Sequence, residues 1–246
     1  MFILSKYEFV DLGLPSGLKW ATCNIGATKP EDFGLYFAWG ETEGYSGITS
    51  DKGFYWGDYK YSSGQTSSTS TSFKGVTKYN SNSSSGTVDN LTVLEQVDDA
   101  AYQSDNTCRM PTKADLEELE ANTTSTWETL NGVNGRRFTS KTNGNSIFVP
   151  AASGCNSGSV YGVGSDGYLW SGSLYESSSG GAWELNFNSD NVGMYGSNRC
   201  NGFSVRAVQE ANTNTKFNPS ETVSKVNNLE SQLGDINTVL ESIING

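Results

Sequence analysis

The chain has 246 residues, with 27 acidic side chains against 16 basic ones, a net charge of −11 and no histidine. That balance leaves no basic stripe to neutralise a phosphate backbone, and the missing imidazole removes every His-based triad and most zinc sites. Only 17% of residues are charged, yet aromatics reach 12%, so the polar remainder reads as the Gly, Ser, Thr and Asn of loop-rich β structure rather than as disorder.

No run of eighteen apolar residues is present to span a bilayer, and Met1 to Val10 is too short and too polar to act as a secretory signal. Phe9 to Leu12 opens as a strand, and Ser16 to Ala21 follows a Pro15-Ser16-Gly17 turn as its hairpin partner. Thr28 to Phe33 places a proline and acids where a short helix would start. The aromatic run Leu35 to Gly40 reads as core. Between Gly57 and Asn90, Ser, Thr, Gly and Asn dominate, which predicts a surface insertion with little packing. A helix is predicted over Thr112 to Leu119, with Thr112 as its cap, Asp115 reciprocating, and Leu116 and Leu119 on one face.

From Arg137 to Val208 the period becomes two, in Arg137–Ser140, Ser146–Pro150, Gly167–Trp170, Ala182–Phe187 and Phe203–Val208, which predicts an antiparallel sheet. The cysteines Cys23, Cys108, Cys155 and Cys200 are far apart with no C-x-x-C pair, so isolated thiols are expected. After a polar linker over 211–219, residues 220–246 carry a heptad seam of Val226, Leu229, Leu233, Ile236, Leu240 and Ile243. Leu at the later a positions with Ile at d leans toward three or more strands; a helix folded back on its own domain is the other reading.

Several stretches carry a resemblance: Val10 to Ala27 with its Asp11-Leu12-Gly13-Leu14-Pro15-Ser16-Gly17-Leu18-Lys19-Trp20-Ala21 core, Gly34 to Glu41, Arg109 to Ala114, and Leu130 to Gly135. Spread over most of residues 9 to 208, they resemble a family abundant in gut Bacteroidales and their phages. That family includes C-type-lectin-fold variable proteins of diversity-generating retroelements, related to formylglycine-generating enzymes. The resemblance implies an α+β, C-type-lectin-like ligand-binding domain over 1–210, with antiparallel sheet, short helices and long loops, followed by the linker and the oligomerising coiled-coil helix. It also implies a surface diversified by a reverse transcriptase that miscopies adenines, so that asparagine codons become codons for many residues.

On that basis the ligand-binding residues are expected to be Tyr175, Ser177, Ser178, Gly180, Asn186, Asp190, Gly193, Tyr195, Gly196, Ser197, Asn198, Cys200, Asn201 and Phe203. Tyr supplies broad amphipathic contact and Ser, Gly and Asn adaptable hydrogen bonding, as in antibody loops, although the same small residues also mark ordinary turns. The expected role is a receptor-binding adhesin of a phage tail fibre, a homotrimer recognising a host protein or glycan. A bacterial cell-surface or pilus-tip adhesin and a non-variable structural fibre module are the alternatives. No catalytic residue, cofactor, nucleic-acid partner or membrane insertion is expected, because the relatives' enzymatic chemistry needs a cysteine pair and Cys155 and Cys200 are forty-five residues apart. A structural calcium at Asp166, Asp190 and Asn191 stays open; recognition itself is expected to be metal-independent.

Overall fold

In the computed structural model the described residues are 6–211, so the linker from 212 and the heptad helix with Val226, Leu229, Leu233, Ile236, Leu240 and Ile243 lie outside them. The first half of the chain contributes strands β1 (Phe9–Asp11), β2 (Lys19–Ala21) and β3 (Tyr36–Phe37), then helices α1 (Ala100–Ser104) and α2 (Lys113–Asn122). A meander follows: β4 (Thr123–Leu130), β5 (Val133–Ser140) and β6 (Ser146–Pro150). The remaining strands are β7 (Gly154–Asn156), β8 (Ser159–Tyr161), β9 (Gly167–Leu174), β10 (Gly181–Phe187), β11 (Val192–Asn198), β12 (Phe203–Ser204) and β13 (Val208–Gln209). The arrangement is mainly β with few helices, α+β in coarse terms.

The predicted hairpin forms with Phe9 opposite Ala21, and Gly17 takes φ +73° in its turn, a left-handed conformation that costs glycine nothing. β13 adds to the free edge of β2, Val208 facing Trp20, so the end of the domain is hydrogen-bonded to its beginning. The central sheet runs β11-β10-β9-β12-β3, β4-β5-β6 forms a second sheet, and β7-β8 is a small hairpin. Helix α2 has the predicted capping box, Thr112 accepting from Asp115 N while the Asp115 carboxylate accepts from Thr112 N at 2.8 Å. Its Leu116 and Leu119 are buried with Leu169, Leu185, Phe187 and Phe138 in one of two apolar clusters. The second cluster gathers Trp39, Trp170, Phe54, Tyr59, Tyr79 and Phe203. All four cysteines are free and buried.

Four expectations are corrected. The strands from Arg137 to Val208 do not share one antiparallel sheet: β5 and β6 lie in the second sheet, and β12, entering the central sheet after the buried turn at 199–202, pairs with β9 in parallel. No helix starts at Thr28: Asp32 turns back to accept from Lys29 N at 3.1 Å and Thr28 Oγ1 at 3.3 Å, so the acid closes a turn. The stretch 203–208 is two short strands rather than one, because the Arg206 side chain runs into the core to donate to Ala21 O, Phe148 O and Asn24 Oδ1 at 2.9–3.0 Å. The polar segment from Gly57 to Asn90 packs: Tyr59, Tyr61, Val76 and Tyr79 are all buried, while Ser and Thr side chains such as Ser67 and Thr69 stay outside. Arg199 holds this segment, donating to Tyr59 Oη at 3.0 Å, Lys78 O at 3.0 Å and Tyr79 O at 3.3 Å, with its guanidinium 4.8 Å from the Trp39 ring centre. A few aromatic anchors and one arginine supply the apolar and polar contacts that composition concealed.

Candidate functional site: the two faces of an edge strand

Alternation decides what β10 and β11 present, because successive side chains point to opposite faces and directly paired residues share one. The register sets Phe187 against Val192, Leu185 against Met194 and Trp183 against Gly196 on the face that α2 covers. The other face carries Asn186 against Gly193, Glu184 against Tyr195 and Ala182 against Ser197. β9 extends that second face, placing Tyr168 beside Asn186 and Trp170 beside Glu184. Tyr168 stacks on Phe203 with ring centres 4.6 Å apart and meets Tyr161 of β8 edge-on at 5.7 Å. Tyr195 is 53% exposed, while Tyr161, Tyr168, Asn186, Gly193 and Ser197 are half-buried. A shallow aromatic and amide surface results, over a floor of Trp170 and Phe203.

Asn186, Gly193, Tyr195 and Ser197 of the expected site therefore share one face. Tyr175, Gly196 and Asn198 belong to the opposite one. The Tyr175 ring meets Trp183 edge-on at 4.7 Å and lies across Gly181 and Gly196, where a Cβ on Gly196 would stand 2.8 Å from it. Lys113 Nζ sits 4.7 Å from the Trp183 ring on that side. Ser177 and Ser178 are exposed in the turn before β10, and Asp190 is exposed in the β10–β11 turn. The expected residues thus wrap around a free sheet edge and do not make one flat patch.

Four of them are corrections. Gly180, Cys200, Asn201 and Phe203 are buried. Gly180 lies under Trp56 and under Phe73 of the Gly57 to Asn90 segment. Beyond Asn198 the chain turns inward, Asn201 N donating to Asn198 O, because Arg199 is drawn into the core. Gly202 then packs so closely that an added Cβ would lie 2.5 Å from Phe54, and Phe203 enters the central sheet opposite Phe37. Cys155 and Cys200 both have thiol pKa values pushed up to about 12 by burial, which holds them protonated and poorly nucleophilic at neutral pH.

The residue the sequence reading missed is Glu184. It is 2% exposed, its Oε1 accepts a long 3.4 Å hydrogen bond from Ser197 Oγ, and its Oε2 has no partner. Burial raises its pKa to about 8, the Ser197 hydroxyl opposing only weakly. Its signal was available: with Trp183, Leu185 and Phe187 facing one way, Glu184 has to face the same way as Asn186.

Among the described residues no group of three or more His, Cys, Asp or Glu side chains gathers to hold a metal ion, and no helix is long and apolar enough to cross a membrane. Compared with known proteins, the chain matches no family model, no curated protein and no solved structure.

Proposed function

We propose that this chain is a receptor-binding adhesin of a phage tail fibre, built on a C-type-lectin-like domain whose β11 edge is the diversified surface. The observation that carries the reading is the contrast along one strand. Gly193, Tyr195, Gly196, Ser197 and Asn198 are exposed or half-buried. Arg199, immediately after them, is fully buried and fixes the backbone through four hydrogen bonds. Side chains on such a strand can change while the frame beneath stays fixed, as recognition by a rigid scaffold requires. The protonated, buried thiols and the absence of histidine favour binding over catalysis. A C-terminal coiled coil through Val226, Leu229, Leu233, Ile236, Leu240 and Ile243 would raise weak single-site contacts to avidity in a trimer.

The test has two arms. Sequencing this gene across sibling isolates should find substitutions at 193, 195, 197 and 198, beside a reverse transcriptase gene and a near-copy of the Leu174 to Val208 segment differing at adenines. Positions 199 to 206 should not vary. In the second arm the labelled full chain is titrated onto intact Bacteroidales cells, and Tyr195→Ala should lower attachment at least tenfold. Invariant residues at 193 to 198 together with unchanged attachment would return the chain to the structural-module alternative.

A further inference from the structure

The free oxygen of Glu184 lies under the face just described. Strand pairing sets it directly across from Tyr195, diagonal to Ser197, and beside Trp170. Tyr161 and Tyr168 both lie within electrostatic range of its carboxyl, and Asp166 acts on the same two phenols. No lysine or arginine among the described residues pairs with Glu184, although three lysines are engaged by the other acids Glu41, Asp58, Glu95 and Asp98. A buried carboxyl with an unsatisfied oxygen is costly, and it is uncommon in the absence of a partner. Tyr195 is its cross-strand partner and Tyr161 and Tyr168 lie within electrostatic range, so aromatic rings that can attract a cation stand near it. The cover over it is thin: Gly193 has no side chain, Ser197 is small, and the exposed Tyr195 ring leans back toward Gly193, 3.5 Å from where a Cβ would stand.

Resting on the adhesin reading above, we propose that Glu184 is the anchor of a cation subsite, which takes a primary ammonium group such as a lysine side chain of a protein receptor, between Tyr168 and Tyr195. The ammonium would donate to the free Oε2, and rotation of the Tyr195 ring would admit it. This narrows the ligand class to a protein or other amine-bearing surface. It also separates the constant part of recognition, Glu184 on the inner strand β10, from the exchangeable part on the edge strand. The raised pKa gives the subsite a pH signature, since a cation binds the ionised carboxylate and must displace the proton held at neutral pH.

The probe is n-butylammonium chloride, with n-butanol as the neutral control, titrated into the full chain carrying 3-fluorotyrosine and followed by fluorine NMR. Tyr161, Tyr168 and Tyr195 are assigned by single Phe replacements. Butylammonium should shift these three resonances, with apparent affinity rising about tenfold per pH unit below pH 8 and levelling above it. Butanol should shift them little at any pH. Glu184→Gln should weaken butylammonium at least tenfold at pH 8.5 and remove the pH dependence. A readout that needs no variant is proton release: binding to the wild type at pH 7 should free most of one proton per site, seen as calorimetric heats that depend on the buffer's ionisation enthalpy. Equal shifts by butanol and butylammonium, or butylammonium binding without proton release, would overturn the subsite. Loss of cell attachment in Tyr195→Ala with no loss in Glu184→Gln would sink this inference alone and leave the adhesin reading standing.

Discussion

Asp98 and Glu184 are both 2% exposed, yet their surroundings push them in opposite directions. Burial would raise the Asp98 pKa, but hydrogen bonds from Lys78, Tyr61, Tyr79 and Lys60 outweigh it and hold the carboxyl well below the usual range. Lys78 Nζ and Tyr79 Oη approach Oδ2 at 2.6 Å, and Lys60 Nζ approaches Oδ1 at 2.9 Å. Glu184 has one long contact to Ser197 and a carboxyl raised to about 8. Depth alone therefore does not decide what a buried acid contributes; the donors that accompany it do. The first acid ties the 57–90 segment to the chain before α1 and serves the architecture. The second is left wanting a donor under an exposed surface, which is the observation behind the proposed cation subsite.

The comparison is tested most severely at Asp98. Replacing it with Ala leaves the buried Tyr61 and Tyr79 hydroxyls without their acceptor and takes one partner each from Lys60, which is half exposed, and Lys78, which keeps Glu95; it is expected to cost roughly 3–5 kcal/mol in urea denaturation at pH 7. Because its folded pKa is depressed, its contribution is full above the ordinary value of 3.8 and disappears as pH falls through the lower folded value, so the wild type and the variant should converge in strong acid. Glu184→Gln should act with the opposite sign. Its folded pKa lies above its ordinary 4.5, so the wild type should lose stability as pH rises from about 4.5 to about 8. The Gln variant should be more stable by roughly 2–4 kcal/mol at pH 9 and no more stable at pH 4, read from denaturation midpoints at both values. A flat pH profile in the wild type would mean that Glu184 finds a partner after all.

Smaller effects sharpen the contrast. Tyr79→Phe removes one donor to Asp98 and the acceptor for Glu95 N, and is expected to cost about 1–2 kcal/mol. Tyr195→Ala is expected to move stability by less than about 0.5 kcal/mol, since its ring is the most exposed on the face, while attachment falls. A large drop in melting temperature for that variant would place the ring in the core and end its candidacy.

What could be read in advance was local. The Thr112–Asp115 cap and the Pro15-Ser16-Gly17 hairpin are decided by neighbours a few residues apart, and both formed as the sequence predicts. The core role of Tyr59, Tyr61 and Tyr79 is hidden in the sequence because their immediate neighbours are polar or charged, as Asp58 and Lys60 or Lys78 and Asn80, and the partner that fixes Tyr59, Arg199, is 140 residues away. The same distance effect misplaced Cys200, Asn201 and Phe203, since a buried turn uses the small residues of an exposed one. On β10 the period of two is visible in the sequence, but which face lies under α2 depends on tertiary packing, so residue type points to Asn186 and not to Glu184, two residues earlier on the same side. Residue type groups Tyr175 with Tyr195, and strand geometry separates them.

The pairing of β13 with β2 has a kinetic consequence. Trp20 and Val208 are opposite partners, so a nascent chain cannot close this sheet until nearly the whole domain has left the ribosome. With β3 likewise waiting for β12, most of the loop-closure entropy is lost before the long-range contacts form. Folding should accordingly be slow for a domain of this size, and truncation before Val208 should yield chains that aggregate instead of a smaller stable core.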